Sequence, residues 1–512
     1  SFSYGPNSVY RNMTTPFYLG EKLTYPIVPD FYSAILTACG KASLRVSLAV
    51  PTILMLTAML FSMYYLFRQY SPLKYVAEMG MVLFVFAGGI GWKYFFIKES
   101  RDNVNSNYSH SFINGRETFW IQAIAQYIFP QRSGAFSIAL CLLIMSILIY
   151  LVEGSFSKDK SHIIPLLTDH KSIFLAGIMM GILPMISAHA YISVGLYALA
   201  ICGITFPWTN INKWIPYIKS WSIFGFTAIV LSLPQLLYLS DRLSQSNNFI
   251  SINPIWTETE SRRYSYFGYF TMWWDSLGTF HFLSLLNVWF LMSSKHFLIY
   301  VPAIFVYIVA NFVRFQPGAM DNTKVFISSW YPLACVASSL YLMQLIMFAK
   351  KFRKIVILAV VSLFISFSLS SALCFYKNLA NEFPMFTESE MELGIWFMSN
   401  THRLSNVFSN GWHACPPMSI GGRSITMGYP GWVWTHGLDY GKRYDWQQKL
   451  YKRRDDYGAF ESYKLRYAIS KQESSGSNMF EENDDYTRWI KIIEIPFCSI
   501  FRLLSIKKNS VA

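Results

Sequence analysis

The sequence predicts a polytopic α-helical membrane protein of about ten transmembrane helices, with a C-terminal soluble α/β domain on the outer or lumenal side. Three observations predict it. Segments 134–152, 172–207, 326–349 and 355–376 contain no Asp, Glu, Lys or Arg. A bilayer core demands about 20 apolar residues per helix, because unpaired backbone and buried charge are both costly in hydrocarbon. The chain of 512 residues is 53% hydrophobic and 18% aromatic but only 14% charged, where a soluble domain carries roughly a quarter charged residues. The surplus rings suit the two membrane interfaces. Finally, region 377–512 turns to short alternating runs, Gly-rich turns and mixed charge.

The chain opens on Ser1, without a signal peptide or a leading apolar helix, and reads as beginning inside a loop. Residues 1–43 read as part of the first outer loop, 44–376 as a multispanning membrane domain, and 377–512 as the outer α/β domain. Apolar runs predict spans near 44–67, 78–97, 134–152, 172–187, 188–206, 217–239, 279–293, 296–314, 326–349 and 354–376. The stretch 172–206 is too long for one helix and divides at Pro184 and Ser187-Ala188-His189. The run 279–293 is short for a full span. Beyond 377, an amphipathic helix is expected over 388–399. Helix or strand is expected at 406–408, 463–470 and 490–504, and a flexible polar loop at 471–485.

Orientation follows from short-loop positive charge. Arg68 and Lys74, then Lys158, Lys160 and Lys171, then Lys213 and Lys219, fall in alternate loops, and Lys350, Lys351, Arg353 and Lys354 form the densest cluster. Ten spans place all of these on one side, which is then cytoplasmic. The other side holds 1–43, 98–133, 187–189, 240–278, 315–325 and 377–512. The sequons Asn12-Met13-Thr14 and Asn107-Tyr108-Ser109 fall on that outer side, as N-glycosylation requires. An endoplasmic reticulum or plasma membrane location fits this layout.

The net charge of +14 sits almost wholly in residues 1–376. It favours lipid headgroups or an anionic lipid substrate, and no nucleic-acid module accompanies it. Seven cysteines show no metal-ligand spacing. Cys141, Cys202, Cys335 and Cys374 lie in apolar segments as small hydrophobes; Cys415 and Cys498 can pair if their side is oxidising. No cofactor is expected, and nothing in the sequence supports a divalent metal.

The outer loops hold the chemistry. Pro130-Gln131-Arg132 precedes a span, His189 sits at the Pro184 break, Trp273-Trp274-Asp275 precedes another span, and Gln316-Pro317 with Asp321-Asn322-Thr323-Lys324 joins two spans. Each has a bland alternative. Arg132 at a helix end either snorkels to headgroups or binds a substrate phosphate. His189 either satisfies carbonyls freed at the break or acts in catalysis. Trp273 and Trp274 read as interface anchors or substrate contacts, and Asp321-Asn322-Thr323-Lys324 as a helix cap or as site residues, Asp321 catalytic with Asn322 and Lys324 binding substrate. Together they suit a lipid-linked phosphate held by Arg132 as a planar fork and by Lys324 as a point charge. Asp321 or Asp30 then takes a proton from an acceptor hydroxyl. In the C-terminal region His413, Gly421-Gly422-Arg423, Tyr429-Pro430-Gly431-Trp432 and His436-Gly437 form either a sugar-binding set, with Arg423, Trp432 and His436 as its contacts, or a rigid turn-rich packing unit.

With these residues in view the chain resembles the GT-C superfamily of integral-membrane glycosyltransferases. The resemblance rests on Leu23-Thr24-Tyr25-Pro26 with Asp30-Phe31-Tyr32-Ser33-Ala34, on Pro130-Gln131-Arg132, and on Gly181-Ile182-Leu183-Pro184 with His189. It rests also on Gln316-Pro317 with Asp321-Asn322-Thr323-Lys324, and on Gly422-Arg423 with Gly428-Tyr429-Pro430-Gly431-Trp432. It implies catalysis at the outer face, a polyprenyl-phosphate-linked sugar donor and an acceptor it does not identify. In that superfamily the catalytic acid usually lies in the first outer loop, soon after the first helix. This chain begins within that loop, so the resemblance places the acid before Ser1 and leaves Asp30 as its stand-in.

The expected activity is transfer of a sugar from the lipid carrier by direct displacement. A transporter or lipid flippase is the alternative from another class, but no inverted repeat is found and the polar residues gather at one face. A catalytically inactive scaffold of the same fold is the third reading.

Overall fold

The computed structural model describes residues 2–9, 13–92, 122–153, 165–240, 250–257, 265–292, 294–316, 318–380, 384–409, 413–452, 460, 462–471, 489–495 and 498–503. The sequons at Asn12 and Asn107 and the loop 472–485 lie outside them.

Among the described residues, seven helices are long and apolar enough to cross a membrane: Leu44–Tyr70, Arg132–Val152, Ala188–Thr205, Ile211–Ser240, Lys295–Phe312, Trp330–Phe348 and Arg353–Tyr376. The protein is an integral multi-pass membrane protein. Three shorter apolar helices, Val76–Phe86, His170–Met185 and Thr279–Leu291, occupy the other three expected positions. At about 1.5 Å per residue none of them reaches the ~30 Å of a hydrocarbon core alone, so among the described residues seven of the ten expected positions hold long helices and three hold short ones.

Two boundaries differ from expectation for visible reasons. The span expected over 78–97 ends as a helix at Phe86, because the next backbone is stitched to its neighbours. Gly88 N–H donates to Phe367 O at 2.8 Å, and Ser370 Oγ donates to Gly89 O at 2.5 Å. A Cβ at Gly89 would stand 2.2 Å from Asp275 O, so the close approach needs a glycine. The span expected over 326–349 breaks at Ser329, whose hydroxyl pairs with Ser193 Oγ at 2.7 Å. Thr323–Ser328 and Trp330–Phe348 lie on either side of that break.

Arg132–Val152 is the central helix: 78% of its apolar window is buried, against 17% for Ile211–Ser240. It packs against Leu44–Tyr70, His170–Ile182 and Ala188–Thr205. His170–Ile182 lies close along Trp214–Ser240 through Gly177 and Gly181, one turn apart. A Cβ on Gly177 would stand 2.9 Å from Phe224 O, the kind of approach small residues permit between membrane helices. Two pairs join interior polar groups across helices: Trp273 Nε1 donates to Asn311 Oδ1 at 3.0 Å, and Asn287 Nδ2 to Ser338 Oγ at 2.8 Å.

The expected break at Pro184 is present. A single 3-10 turn, Leu183–Met185, separates the two helices, and Ser187 caps the second by accepting from Ala190 N. Gln235 closes the gap, accepting from Met185 N at 3.1 Å and donating to Gly181 O at 2.7 Å.

Beyond residue 384 the chain mixes helix and strand. Thr387 and Glu390 form a capping box at the start of Glu388–Asn400. A five-stranded sheet runs in the order Ser424–Ile425, Asn406–Phe408, Leu465–Lys471, Cys498–Leu503, Trp489–Ile495. Its first three strands are parallel and its last two antiparallel to their neighbours. Leu393, Phe397, Val407, Cys415 and Ile425 form a core under it. Cys415 is a buried free thiol, and burial pushes its pKa up to about 12; the side chain of its expected partner, Cys498, lies outside the described residues.

The N-terminal segment is bound to this region. Tyr18 bridges to Met427, Gly428 N donates to Phe17 O at 2.7 Å, and Tyr18 Oη donates to Asp439 O at 2.8 Å. Arg443 donates to Leu19 O at 2.9 Å while its guanidinium lies 4.2 Å from the Tyr18 ring centre. This attachment sets Phe17 and Tyr25 over the ends of the membrane helices.

Candidate functional site

Two cavities adjoin at that end of the bundle. The larger, about 680 Å³, is lined by Asp30, Arg132, Asp321, Lys324, Trp432 and His436 among others. The smaller, about 330 Å³, holds His189 and Ser187 together with apolar side chains. Tyr25, Gln131, Gln316, Lys324 and His436 belong to both walls. Segments far apart in sequence therefore meet at one place: ends of membrane helices, the N-terminal segment and the region around Trp432 and His436.

Arg132 is the first residue of the central helix. Its guanidinium pairs with the Asp30 carboxylate, donates to Ser33 Oγ at 2.5 Å and reaches Pro29 O at 3.4 Å. Those three acceptors lie on the first turns of Val28–Ala38, so the ion pair ties that helix to the bundle. On the other wall Lys324 Nζ pairs with Asp321 Oδ1 at 2.6 Å, with only 13% and 21% of the two side chains exposed. His189 is 7% exposed, and its Nε2 is buried with no hydrogen-bond partner among the described residues.

Aromatic rings complete the larger cavity. His436 Nδ1 donates to Trp432 O at 2.6 Å, which fixes the imidazole plane. Its ring centre lies 5.0 Å from that of Phe17 and 4.6 Å from that of Tyr25. Tyr25 keeps 40% of its surface accessible, yet it lines both cavities. Its setting at the cavity walls, with the carboxylates of Asp30 and Asp321 nearby, raises its phenol above the ordinary value, so it stays a neutral hydroxyl.

Three expected site residues are elsewhere. Arg423, 2% exposed, donates to the carbonyls of Tyr4, Gly421, Phe397, Met398 and Thr401 and to Thr401 Oγ1; a guanidinium has five N–H groups, so this one is fully engaged in holding backbone. Asn322 is fully buried, donating to Ala310 O and Val313 O and accepting from Phe315 N. It closes the end of Lys295–Phe312. Trp274 lies beside Phe282, with ring centres 5.9 Å apart, and is not among the lining residues. Conversely, Phe17 and Ser33 were not singled out as site residues. Ser33 carried one signal, its position one turn after Asp30.

The helix directions agree with the charge pattern. His170–Ile182 begins beside Lys171, Trp214–Ser240 beside Lys213, and Trp330–Phe348 ends before the exposed Lys350–Lys354 cluster. Each has its basic end away from the cavities.

No protein-family model and no curated protein matches the sequence. Among solved structures, the Archaeoglobus fulgidus oligosaccharyltransferase in its apo form is similar, with a TM-score of 0.50 and 9% identity over 89% of this chain and 62% of that one. The same enzyme tethered with an acceptor peptide gives a TM-score of 0.49 at 11% identity, with the same coverage of both chains. ArnT from Cupriavidus metallidurans, bound to undecaprenyl phosphate, gives 0.44 at 9% identity over 93% of this chain and 87% of its own. The chain thus spans less than two thirds of the oligosaccharyltransferase's length. The chain shares the fold of the Archaeoglobus fulgidus oligosaccharyltransferase.

Proposed function

We infer that the protein is a glycosyltransferase that takes a sugar from a polyprenyl-phosphate carrier and passes it to an acceptor hydroxyl at the outer or lumenal face. The convergence of two carboxylate–cation pairs, Asp30 with Arg132 and Asp321 with Lys324, in one aromatic-lined cavity carries this reading. The fold supports it, and so do the basic helix ends turned away from the cavity.

The chemistry asked of the site is limited. The acceptor oxygen attacks the anomeric carbon, the bond from that carbon to the phosphate oxygen breaks, and the lipid phosphate leaves as an anion. The hydroxyl proton goes to a carboxylate, Asp30 or Asp321. The cations stabilise negative charge as it gathers on the phosphate. Trp432, His436 and Phe17 offer faces against which a sugar ring lies.

The test is release of polyprenyl phosphate from a panel of polyprenyl-phosphate hexoses and pentoses by the purified chain in nanodiscs, with protein, lipid and glycan hydroxyls supplied as acceptors. A general base contributes about 10²-fold or more, so Asp30→Asn or Asp321→Asn should slow release by at least that factor. Release no faster from the wild-type chain than from the double variant, with every donor, removes the proposal.

A further inference from the structure

The turn between Trp330–Phe348 and Arg353–Ala380 lies outside the candidate site. Trp330–Phe348 starts just beyond the cavity-wall residue Lys324, and its 19 residues carry the chain roughly 28 Å from there. Lys350, Lys351, Arg353 and Lys354 are all exposed. Among the described residues none of their side chains has an ion-pair or hydrogen-bond partner. No Asp or Glu occurs between Asp321 and Glu382, so the turn supplies no counter-charge of its own.

Two apolar rings stand among these cations. Phe348 and Phe352 are 78% and 61% exposed, and an open ring at the end of a membrane helix favours hydrocarbon over water. Only residues 349–352 separate the two helices, so the turn is too short to carry its charges far beyond those rings. The four cations are held at the depth of the lipid headgroups.

The ordinary duties of such residues do not call for this density. Lys and Arg near span ends set orientation, and Arg68, Lys74, Lys213 and Lys219 already supply that bias on the same side. Cations in the first turn of a helix oppose its dipole, so Arg353 and Lys354 do not serve Arg353–Ala380.

We propose that this turn is a docking site for anionic phospholipids of the leaflet opposite the cavities. Their phosphates pair with the four cations, and their acyl chains lie beside Phe348 and Phe352. A basic cluster directly at the end of a membrane helix has the charge to recruit such headgroups. A soluble protein partner would need the charges to project past the headgroups, which the short turn denies it. The site needs only the membrane-spanning fold, whatever reaction the opposite end performs.

The test uses the purified full chain in detergent micelles, with retained lipid counted by native mass spectrometry. A melt of each lipid-free variant is the folding control. The wild-type chain should retain phosphatidylglycerol in preference to phosphatidylcholine supplied at the same concentration, and added salt should weaken the preference. Each cation near an anionic lipid is worth about fivefold in affinity, so Lys350→Gln with Lys351→Gln should weaken phosphatidylglycerol binding about 25-fold. Arg353→Gln with Lys354→Gln should do the same, and reads the site again if the first pair alters folding. Lys213→Gln with Lys219→Gln removes as much charge from another turn on that side and should leave binding near the wild-type value. Equal weakening by all three pairs makes the effect one of net charge and overturns the site. So does a wild-type chain without preference for phosphatidylglycerol, or unchanged binding in both turn variants. Glycerophosphoglycerol, the same headgroup without chains, should compete poorly; competition equal to the lipid's overturns the membrane-lipid assignment.

Discussion

Arg423 and Lys324 are both cations in polar stretches beside an apolar bundle, and their sequence contexts do not separate a structural pin from a ligand contact. The difference is in what surrounds them: five backbone carbonyls converge on Arg423, whereas Lys324 meets one carboxylate at the wall of a cavity. Arg423→Met would leave those carbonyls unpaired in a buried site. Hydrogen bonds to a charged group contribute about 1.5–3 kcal/mol each, so the variant should lose about 3 kcal/mol or more of stability. A thermal melt reads the loss. Asp30, Gln131, Arg132, His189, Asp321 and Lys324 were legible because a polar group beside a membrane span is rare enough to stand out. Phe17 and Tyr25 were not legible as site residues, since aromatic rings are abundant throughout a membrane chain and their role comes from where the N-terminal segment is pinned.

Helices were legible where apolarity and an interruption coincide. Pro184 followed by Ser187 marked both the end of one helix and the cap of the next. The end of the helix at Phe86 was not legible, because it depends on bonds from Gly88 and Gly89 to residues almost 300 positions away, and local pattern carries no record of them. The packing of His170–Ile182 on Trp214–Ser240 offers a test at this scale. Gly177→Leu places a side chain where Phe224 O stands 2.9 Å from even a Cβ. Forcing the helices apart should cost about 1–3 kcal/mol, read as a lower melting temperature, while Gly203→Leu, with nothing within 4 Å of its added Cβ, should leave the melt close to wild type.

For the whole molecule, charge pattern and span positions were enough to anticipate that loops 130–133, 187–189 and 315–325 share an end, and the cavities are built from those loops. The architecture beyond 384 was legible only as alternation of helix and strand; the sheet order joins segments whose pairing no local pattern encodes. The sidedness has its own test. N-glycosylation tags inserted near Lys351 and near Ser475 should be modified only at Ser475, and modification only at Lys351 would invert the assignment.

The link between Tyr18 and Asp439, 421 residues apart in the chain, also bears on biogenesis. A ribosome adding roughly 5–20 residues per second needs roughly 20–80 s between emitting the first partner and the second. Through that interval the membrane helices can insert and pack while the aromatic cover over the cavities has no partner to bind. The aromatic cover over the cavities is therefore fixed in place only after residue 439 has emerged, later than every membrane helix of the bundle.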